Sequence, residues 1–204
     1  MRQQSQQVFQ FKITLNGISP AIWRRIQVPG DYSFWDLHVA IQDAMGWLDY
    51  HLHEFELKQP GSQTRVRIGI PDEDFDWSRK TLAGWVVAIA DYFTEANRTA
   101  LYTYDFGDSW VHQIKLESIE SGSPQEKYPA CIGGERACPP EDVGGVWGYE
   151  SFLEIIQDPE HEEYEEMLSW VGEESDPESF DPQEVRFEDP RERWNATFGE
   201  EGDA

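Results

Sequence analysis

The chain has little cysteine and no long apolar run. Only two cysteines occur among 204 residues, which is too few to frame a secreted domain of this size with disulfides. No stretch approaches the roughly 18 consecutive apolar residues of a transmembrane helix, and the polar segment 1–7 lacks the apolar core of a signal peptide. The sequence therefore predicts no membrane span and a reducing, cytoplasmic setting.

Positive charge is also scarce, because 16 Lys and Arg oppose 40 Asp and Glu and leave a net charge of -24. Residues 150–204 hold 20 of these acidic residues and three of the basic ones. Binding to a nucleic-acid backbone depends on clustered Lys and Arg, so direct nucleic-acid binding is not expected. The acidic C-terminal part is interpreted as a solvated helical face or, alternatively, as a surface for a basic partner.

Aromatic residues, by contrast, are abundant. Nine Trp, 11 Phe and eight Tyr make up 14% of the chain, and 39% of all residues are hydrophobic, which is ample material for a packed core. A chain of this length favours one main domain with an appended tail. We expect a flexible segment over 1–7, a single domain over 8–188 and an acidic, partly disordered tail over 189–204.

Alternation of apolar and polar residues predicts a mostly antiparallel sheet built from two hairpins and additional strands. The first hairpin turns at Asn16-Gly17, and the second turns across Phe106 to Asp108. The predicted strands cover residues 8–15, 21–28, 51–58, 65–70, 101–105 and 110–117.

Helical spacing of apolar residues predicts helices packed against this sheet. Ser33 suits the N-cap of a helix that runs to Met45 and ends at Gly46. Further helices are predicted over 81–96, 149–158 and 160–171, with another start at Asp181-Pro182. Segments 71–80 and 121–148 are expected to be loops. The predicted class is α+β with a C-terminal helical acidic segment.

Four of the five histidines fall on apolar faces by this periodicity. His38 lies in the helical stripe, His51 and His53 share one face of the predicted strand 51–58, and His112 faces inward from the second hairpin. A buried neutral imidazole packs in the core, binds a transition metal or acts as a base. The spacing of His51 and His53 lets them share one ion such as zinc with His112 as the third ligand, although no resident cofactor is the first expectation.

Carboxylates near the second turn are candidate catalytic groups. Asp105 and Asp108 bracket that turn, where Asp commonly stabilises the backbone and alternatively acts in catalysis or ligation. Glu135, in the Gly-rich segment, is a further candidate for a general base. The aromatic side chains around the turn are either core residues or a platform for a ligand.

Two cysteines and one arginine complete the candidate ligand-binding residues. Six residues separate Cys131 from Cys138, a spacing unlike that of a zinc finger, so free thiols or half of a site with remote histidines are the alternatives. Arg24 either holds an anion or pairs with a carboxylate. The candidate ligand-binding set is His38, Arg24, Trp47, Tyr104, Trp110, Cys131 and Cys138.

Five short motifs follow one another along the chain: Ile22-Trp23-Arg24-Arg25, Met45-Gly46-Trp47, His51-Leu52-His53-Glu54-Phe55, Tyr104-Asp105-Phe106-Gly107-Asp108-Ser109-Trp110 and Gly134-Glu135-Arg136-Ala137-Cys138-Pro139-Pro140-Glu141-Asp142. In this order and spacing they resemble the plasmid Ri ORF-3-like family, whose members include insertion-element passenger proteins labelled TnpR. The resemblance spans about residues 8–188 and implies a compact α+β domain without an established activity. A serine recombinase would need an activated Ser among Arg residues and a basic DNA-binding region, and the sequence shows neither.

Three functions are compatible with these features. The first is a module that binds a small ligand or protein in a pocket lined by histidine and aromatic side chains. The second is a metal-assisted hydrolase that uses His51, His53 and His112 with Asp105 or Asp108. The third is an accessory protein of mobile elements that acts through protein contacts of its acidic tail.

Overall fold

The computed structural model describes residues 7–71, 80–172 and 176–199, which form one sheet and its packed helices. The strands are β1 (Gln7–Leu15), β2 (Trp23–Pro29), β3 (His53–Lys58), β4 (Arg65–Gly69), β5 (Thr81–Ala83), β6 (Thr99–Tyr104), β7 (Trp110–Ser121) and β8 (Ala130–Glu135). The α-helices are α1 (Phe34–Met45), α2 (Gly145–Gln157), α3 (Tyr164–Val171) and α4 (Pro190–Phe198). The predicted α+β class is confirmed.

The eight strands form a single sheet in the order β5-β4-β3-β6-β7-β1-β2-β8. Neighbouring strands are antiparallel except for β4 and β5, which are parallel. Both predicted hairpins are present, as β1 with β2 and β6 with β7. Because β1 also pairs with β7, the two hairpins join into one continuous sheet.

The apolar face of β1 packs into the core as its alternation predicts. Phe9, Phe11 and Ile13 are buried on that face, and burial of each such side chain contributes about 1.5–3 kcal/mol. Phe34 of α1 contacts Phe55 of β3 with ring centroids 5.1 Å apart. The core therefore lies between the sheet and α1.

Helix α1 begins and ends where the sequence indicates. The Ser33 hydroxyl accepts a hydrogen bond from the backbone N–H of Asp36, and the Asp36 carboxylate accepts one from the backbone N–H of Ser33, which is a capping box. Gly46 ends the helix with a φ of 91°, a left-handed conformation that glycine adopts without steric cost. The cap at Gly46 sets the direction of the loop that follows α1.

The helix predicted over 81–96 is wrong. This segment contains β5 and two short 3-10 helices, Gly84–Val86 and Ile89–Asp91. Glycine and β-branched valines disfavour an α-helix at its start. The backbone bonds elsewhere instead, because the N–H of Phe34 donates to the carbonyl of Val87 over 3.0 Å.

The loop predicted over 121–148 contains a strand, β8, which pairs with β2. This strand is not predicted from the sequence because it contains Gly133 and Gly134. Glycine interrupts the alternation and has low strand propensity. A Cβ atom at Gly134 would lie 2.3 Å from a ring carbon of Phe180. The glycine is therefore needed for the close approach of Phe180 to this edge of the sheet.

The C-terminal part of the chain also differs from expectation. Asp181-Pro182 starts only a turn, in which Asp181 Oδ1 accepts a hydrogen bond from the N–H of Gln183. The same Asp-Pro pattern at Asp189-Pro190 caps α4, which lies within the segment 189–204 predicted to be a partly disordered tail. Segments 1–6, 72–79, 173–175 and 200–204 lie outside the described residues, and they include most of the predicted loop 71–80 and flexible terminus.

Helix α4 packs on α1 through aromatic rings. The Trp194 ring lies 5.3 Å from that of Trp35 and 4.7 Å from that of Trp85, measured between centroids. The Trp35 indole N–H donates to the carbonyl of Pro190 over 2.9 Å. In the described part of the chain, no helix has both the length and the apolar character needed to cross a bilayer.

We expect Trp194→Ala to lower the free energy of unfolding by about 2 kcal/mol, because the substitution removes a half-buried ring that anchors α4. Urea denaturation followed by circular dichroism measures this change. Trp147→Ala is the matched control, since Trp147 is 83% exposed, and we expect a loss below about 0.5 kcal/mol for it. Equal losses for the two variants would contradict the anchoring role of α4.

Candidate functional site

Two histidines stack face to face beneath α1. The rings of His38 and His53 have centroids 3.4 Å apart and an interplanar angle of 9°, and both side chains are buried. Burial disfavours a charged imidazole and lowers the pKa of each histidine well below its ordinary value. Both rings are therefore neutral at neutral pH.

Hydrogen bonds fix the ring of His38 on both sides. Its Nε2 atom lies 2.9 Å from Oδ1 of Asp49, and its Nδ1 atom lies 2.8 Å from the hydroxyl of Tyr102. A carboxylate only accepts hydrogen bonds, so Nε2 of the neutral ring donates to Asp49 and Nδ1 accepts from Tyr102. Gln42 donates to the same hydroxyl over 2.8 Å. Burial raises the pKa of Tyr102 well above its usual value, so this phenol keeps its proton.

Arg193 of α4 covers the open side of this cluster. Its guanidinium lies 2.8 Å from a carboxylate oxygen of Asp43 and 3.4 Å from one of Asp49. Burial raises the pKa of both carboxyl groups, an effect that the arginine opposes. The buried histidine cluster is therefore closed by the C-terminal helix.

His112 lies in a separate position on β7. Its Nδ1 atom is 3.1 Å from the carbonyl oxygen of Trp110, and its ring meets the Trp47 ring edge-on at a centroid distance of 5.3 Å. Burial lowers its pKa to about 4. Among the described residues, neither Nε2 of His112 nor the indole N–H of Trp110 has a hydrogen-bond partner.

The three imidazoles predicted to share a metal ion do not form one ligand set. His53 on β3 and His112 on β7 are separated by β6, and two strand spacings amount to about 9.6 Å. His51 precedes β3, which begins at His53, so period-two alternation does not apply to it. These positions correct the predicted site of His51, His53 and His112.

His51 instead lies between two carboxylates. Its Nε2 atom is 3.1 Å from Oδ1 of Asp142 and 3.8 Å from Oδ2 of Asp105. Ligand atoms of these three residues all lie within 4.8 Å of one another. The structure thus brings a predicted metal ligand and a predicted catalytic candidate together, but with a new third partner.

The other carboxylate candidates hold local structure. Asp108 Oδ2 accepts a hydrogen bond from the N–H of Gly144 over 3.0 Å, and Asp105 Oδ1 accepts one from Gly107 over 2.8 Å. Glu135 accepts a hydrogen bond from the indole N–H of Trp23 over 2.9 Å. A catalytic role for Asp105, Asp108 or Glu135 stays a prediction.

Arg24 is the buried cation of a second region. Only 1% of its surface is exposed, and its Nε atom donates to the carbonyl of Ala44 over 2.8 Å. Its Nη1 atom donates to the carbonyls of Trp23 and Glu135, and the Phe180 ring covers it with a centroid 3.7 Å from Cζ. In the described part of the chain, no carboxylate forms an ion pair with this guanidinium.

A groove of about 630 Å³ opens beside Arg24, at the C-terminal end of α1. Arg24, Trp47, Cys138 and Glu141 line it from the sheet side, and Trp170 and Phe180 line it from the C-terminal segments. The groove therefore gathers three of the predicted ligand-binding residues, Arg24, Trp47 and Cys138, together with part of the motif that ends at Asp142.

Trp47 lines the groove and is held in place by its neighbours. Trp47 stacks on Tyr104 with centroids 5.0 Å apart, and its indole N–H donates to the carbonyl of Pro139 over 2.9 Å. The hydroxyl of Tyr104 donates to the carboxylate of Glu141, which also accepts from the N–H of Leu48 over 3.0 Å. These contacts hold the loop after α1 and the loop after β8 against the end of β6.

Both cysteines are free thiols. Burial raises the pKa of Cys131 and raises that of Cys138 to about 12, so neither sulfur is ionised at neutral pH. A reactive cysteine requires a depressed pKa, which these two lack. Their place beside Arg24 makes Cys138 a wall of the groove.

Comparison with known proteins now decides the family. The model of the plasmid pRiA4b ORF-3-like protein family matches residues 7–184. The chain belongs to this family.

Two relatives show how far the likeness extends. The uncharacterized protein y4hQ of Sinorhizobium fredii (strain NBRC 101917 / NGR234) is 37% identical over 166 residues, which cover 81% of each chain. The crystal structure of MM3350, a protein of unknown function from Methanosarcina mazei Go1, is 48% identical with a TM-score of 0.83 and covers 89% of this chain and 99% of that one. Neither description assigns an activity, so the roles in binding, hydrolysis and mobile elements stay predictions.

The motifs on which the ORF-3-like resemblance rests meet at one end of the sheet. The first motif contributes Arg24, which bonds to Ala44 beside the second and to Glu135 in the last. His51 of the third motif lies beside Asp105 of the fourth. The residues that carry the family resemblance therefore lie around the candidate site.

Several residues of the site carry no signal in the sequence. Asp49, Asp142 and Arg193 follow no periodicity, and Arg193 reaches Asp43 across 150 residues of sequence. Phe180 lies in a segment with no predicted element at its own position. Only the crowding of acidic residues next to aromatic motifs could have indicated them.

We expect the free energy of unfolding to decrease as the pH falls from about 7 to 5, because the unfolded chain protonates histidines that stay neutral in the fold. Burial lowers the folded pKa values of His38, His53 and His112. Their contribution to the free energy of unfolding is therefore fully present above about pH 6.5 and decreases as the pH falls below that value. Each histidine contributes a slope of at most about 1.4 kcal/mol per pH unit.

Replacement of one histidine tests this dependence. His112→Phe should reduce the slope by about a third, whereas Trp147→Ala, a change of a non-titrating side chain that is 83% exposed, should leave it unchanged. Urea denaturation at several pH values measures the slope for each variant. Identical slopes for the wild type and His112→Phe would contradict burial of a neutral ring at this position.

Proposed function

We propose that this chain is a binding module that takes a small anionic molecule in the groove beside Arg24. The observation that carries the proposal is the buried guanidinium, which is 1% exposed and has backbone carbonyls but no carboxylate as partners among the described residues. A buried charge without a counter-charge is costly. A carboxylate or phosphate group of a ligand supplies that counter-charge.

Four acidic residues line the groove, and two of them, Asp43 and Glu141, are engaged by other groups. Glu141 accepts hydrogen bonds from Tyr104 and Leu48. Asp43 accepts from the guanidinium of Arg193 and from the N–H of Glu188 over 2.9 Å. These partners leave little reason for either carboxylate to move toward Arg24, which supports an external anion as its partner.

The size and lining of the groove suit a small molecule. Its volume of about 630 Å³ lies in the range of about 300–1,000 Å³ that is usual for ligand pockets. Trp47 and Trp170 provide apolar surface on two sides. A ligand with an anionic group and a flat apolar part fits this combination.

We expect millimolar or tighter binding of at least one probe from a set of inorganic phosphate, acetate, succinate and citrate, measured by isothermal titration calorimetry and by tryptophan fluorescence. Arg24→Met should weaken binding by at least about tenfold, because it removes a charge-assisted hydrogen bond. Arg25→Met is the matched control, since Arg25 pairs with Glu117 on the other face of β2, and it should change affinity by less than about twofold.

A second variant guards against loss of folding at Arg24. Ser179 is an exposed residue that lines the groove and is not a hydrogen-bond partner of Arg24, so Ser179→Trp should place an indole in the groove and also abolish binding. Circular dichroism confirms that each variant folds. Undiminished binding by Arg24→Met and Ser179→Trp, or the absence of binding of every probe to the wild type, contradicts the proposal.

A further inference from the structure

His51, Asp105 and Asp142 come from three separate segments and meet outside the groove. His51 precedes β3, Asp105 begins the turn between β6 and β7, and Asp142 lies in the connection from β8 to α2. Within the described residues, this is the group of His, Cys, Asp and Glu side chains whose ligand atoms all lie within 4.8 Å of one another. Three chain segments therefore bring one nitrogen and two oxygens close to one another.

The nitrogen of this group has no hydrogen-bond partner within the described ranges 7–71, 80–172 and 176–199. Nε2 of His51 is shielded from solvent, and Oδ1 of Asp142 lies only 3.1 Å away. The contact is thus close but is not directed along the ring N–H. A buried polar atom without a partner is costly and calls for an explanation in a native fold.

One carboxylate of the group, that of Asp105, is largely buried and bonds to the backbone through one of its two oxygens. Asp105 is 7% exposed, and its Oδ1 atom accepts a hydrogen bond from Gly107. Its Oδ2 atom points to His51 at 3.8 Å, which is beyond hydrogen-bond distance. An oxygen of this largely buried side chain therefore lies near Nε2 of His51 without bonding to it.

A cation between these atoms satisfies both of them. Ligands at about 2.0–2.2 Å from a tetrahedral or octahedral ion are separated from one another by roughly 3.0–3.6 Å. The distances of 3.1 and 3.8 Å from Nε2 to the two carboxylates match that separation with a small adjustment. One imidazole and two carboxylates form a donor set of the kind that zinc and manganese accept.

We propose that His51, Asp105 and Asp142 bind one divalent transition-metal ion, with zinc as the reference ion. The side chains of His51 and Asp142 are 30% and 68% exposed, so coordination positions remain open to water or to a ligand atom. Exposed apolar side chains flank the ligands in sequence, namely Tyr50, Leu52 and Phe106. The site is thus an exchangeable, solvent-facing metal centre.

The experiment uses full-length protein without an affinity tag, stripped with EDTA and dialysed. Titration with zinc chloride in a calorimeter should show one equivalent bound with a dissociation constant of about 10 μM or tighter. His51→Ala and Asp105→Asn should each weaken binding by at least about tenfold. Asparagine retains the acceptor for the N–H of Gly107 and tolerates the positive φ of 54° at this position, so Asp105→Asn should keep the turn.

Two substitutions serve as controls. His161→Ala removes a histidine outside the group, and Asp108→Asn changes a neighbouring turn carboxylate that binds the N–H of Gly144. Both should leave the zinc affinity within about twofold of the wild type. Unchanged affinity in His51→Ala, or no stoichiometric binding by the wild type, overturns the proposal.

The proposed zinc site is separate from the proposed anion site. Arg24→Met should leave zinc binding unaltered, and His51→Ala should leave binding of the anionic probes unaltered in metal-free buffer. Anomalous scattering from a zinc-soaked crystal gives an independent readout, with the peak expected at about 2.0–2.2 Å from Nε2 of His51. A peak located elsewhere overturns the assignment even when the stoichiometry is one.

Discussion

The pairing of β1 with β7 is the interaction on which the rest of the structure depends. Each hairpin alone is a two-stranded unit of marginal stability, and β1 joins them by bonding to β2 on one side and β7 on the other. This pairing places the ends of β2, β3, β6 and β8 at one end of a continuous sheet. The groove and the His51 group lie at that end, so both depend on the register of a strand that contributes no residue to either.

A buried polar cluster gives the domain a second constraint of a different kind. His38, Tyr102, Gln42 and Asp49 bond to one another in a low-dielectric interior, where hydrogen bonds are strong and missing partners are costly. Such networks tolerate one arrangement of their members. The burial and hydrogen bonds of the stacked imidazoles are compatible with the packing alternative that their apolar positions left open, and their role as ligands stays a prediction.

Much of the fold follows from local patterns, and much of the site does not. The alternation around Phe11 and the caps Ser33 and Gly46 predict β1, β2 and α1, because their causes lie within a few residues. The inward position of His38 follows from helical spacing for the same reason.

Other features depend on contacts between distant segments. The start of β3 at His53 rather than His51 depends on its pairing with Tyr104. Strand β8 contains two glycines that break its alternation, and one of them, Gly134, lies against Phe180 and the backbone of Trp23. Asp142 reaches His51 from a loop without periodicity. No pattern within a single segment contains that information, so sequence reasoning found the histidines and Asp105 but missed Asp49 and Asp142.

The position of Arg193 on the histidine cluster has a consequence for how the chain reaches its final state. Residues 38, 49 and 193 must meet, and contacts between such distant positions form late because closing a long loop is entropically unfavourable. A nascent polypeptide can assemble its sheet while Asp43 and Asp49 still face water. Because Arg193 lies on α4 and contacts Asp43 and Asp49, we expect the interior around the stacked rings to gain full protection from solvent only once this helix has docked.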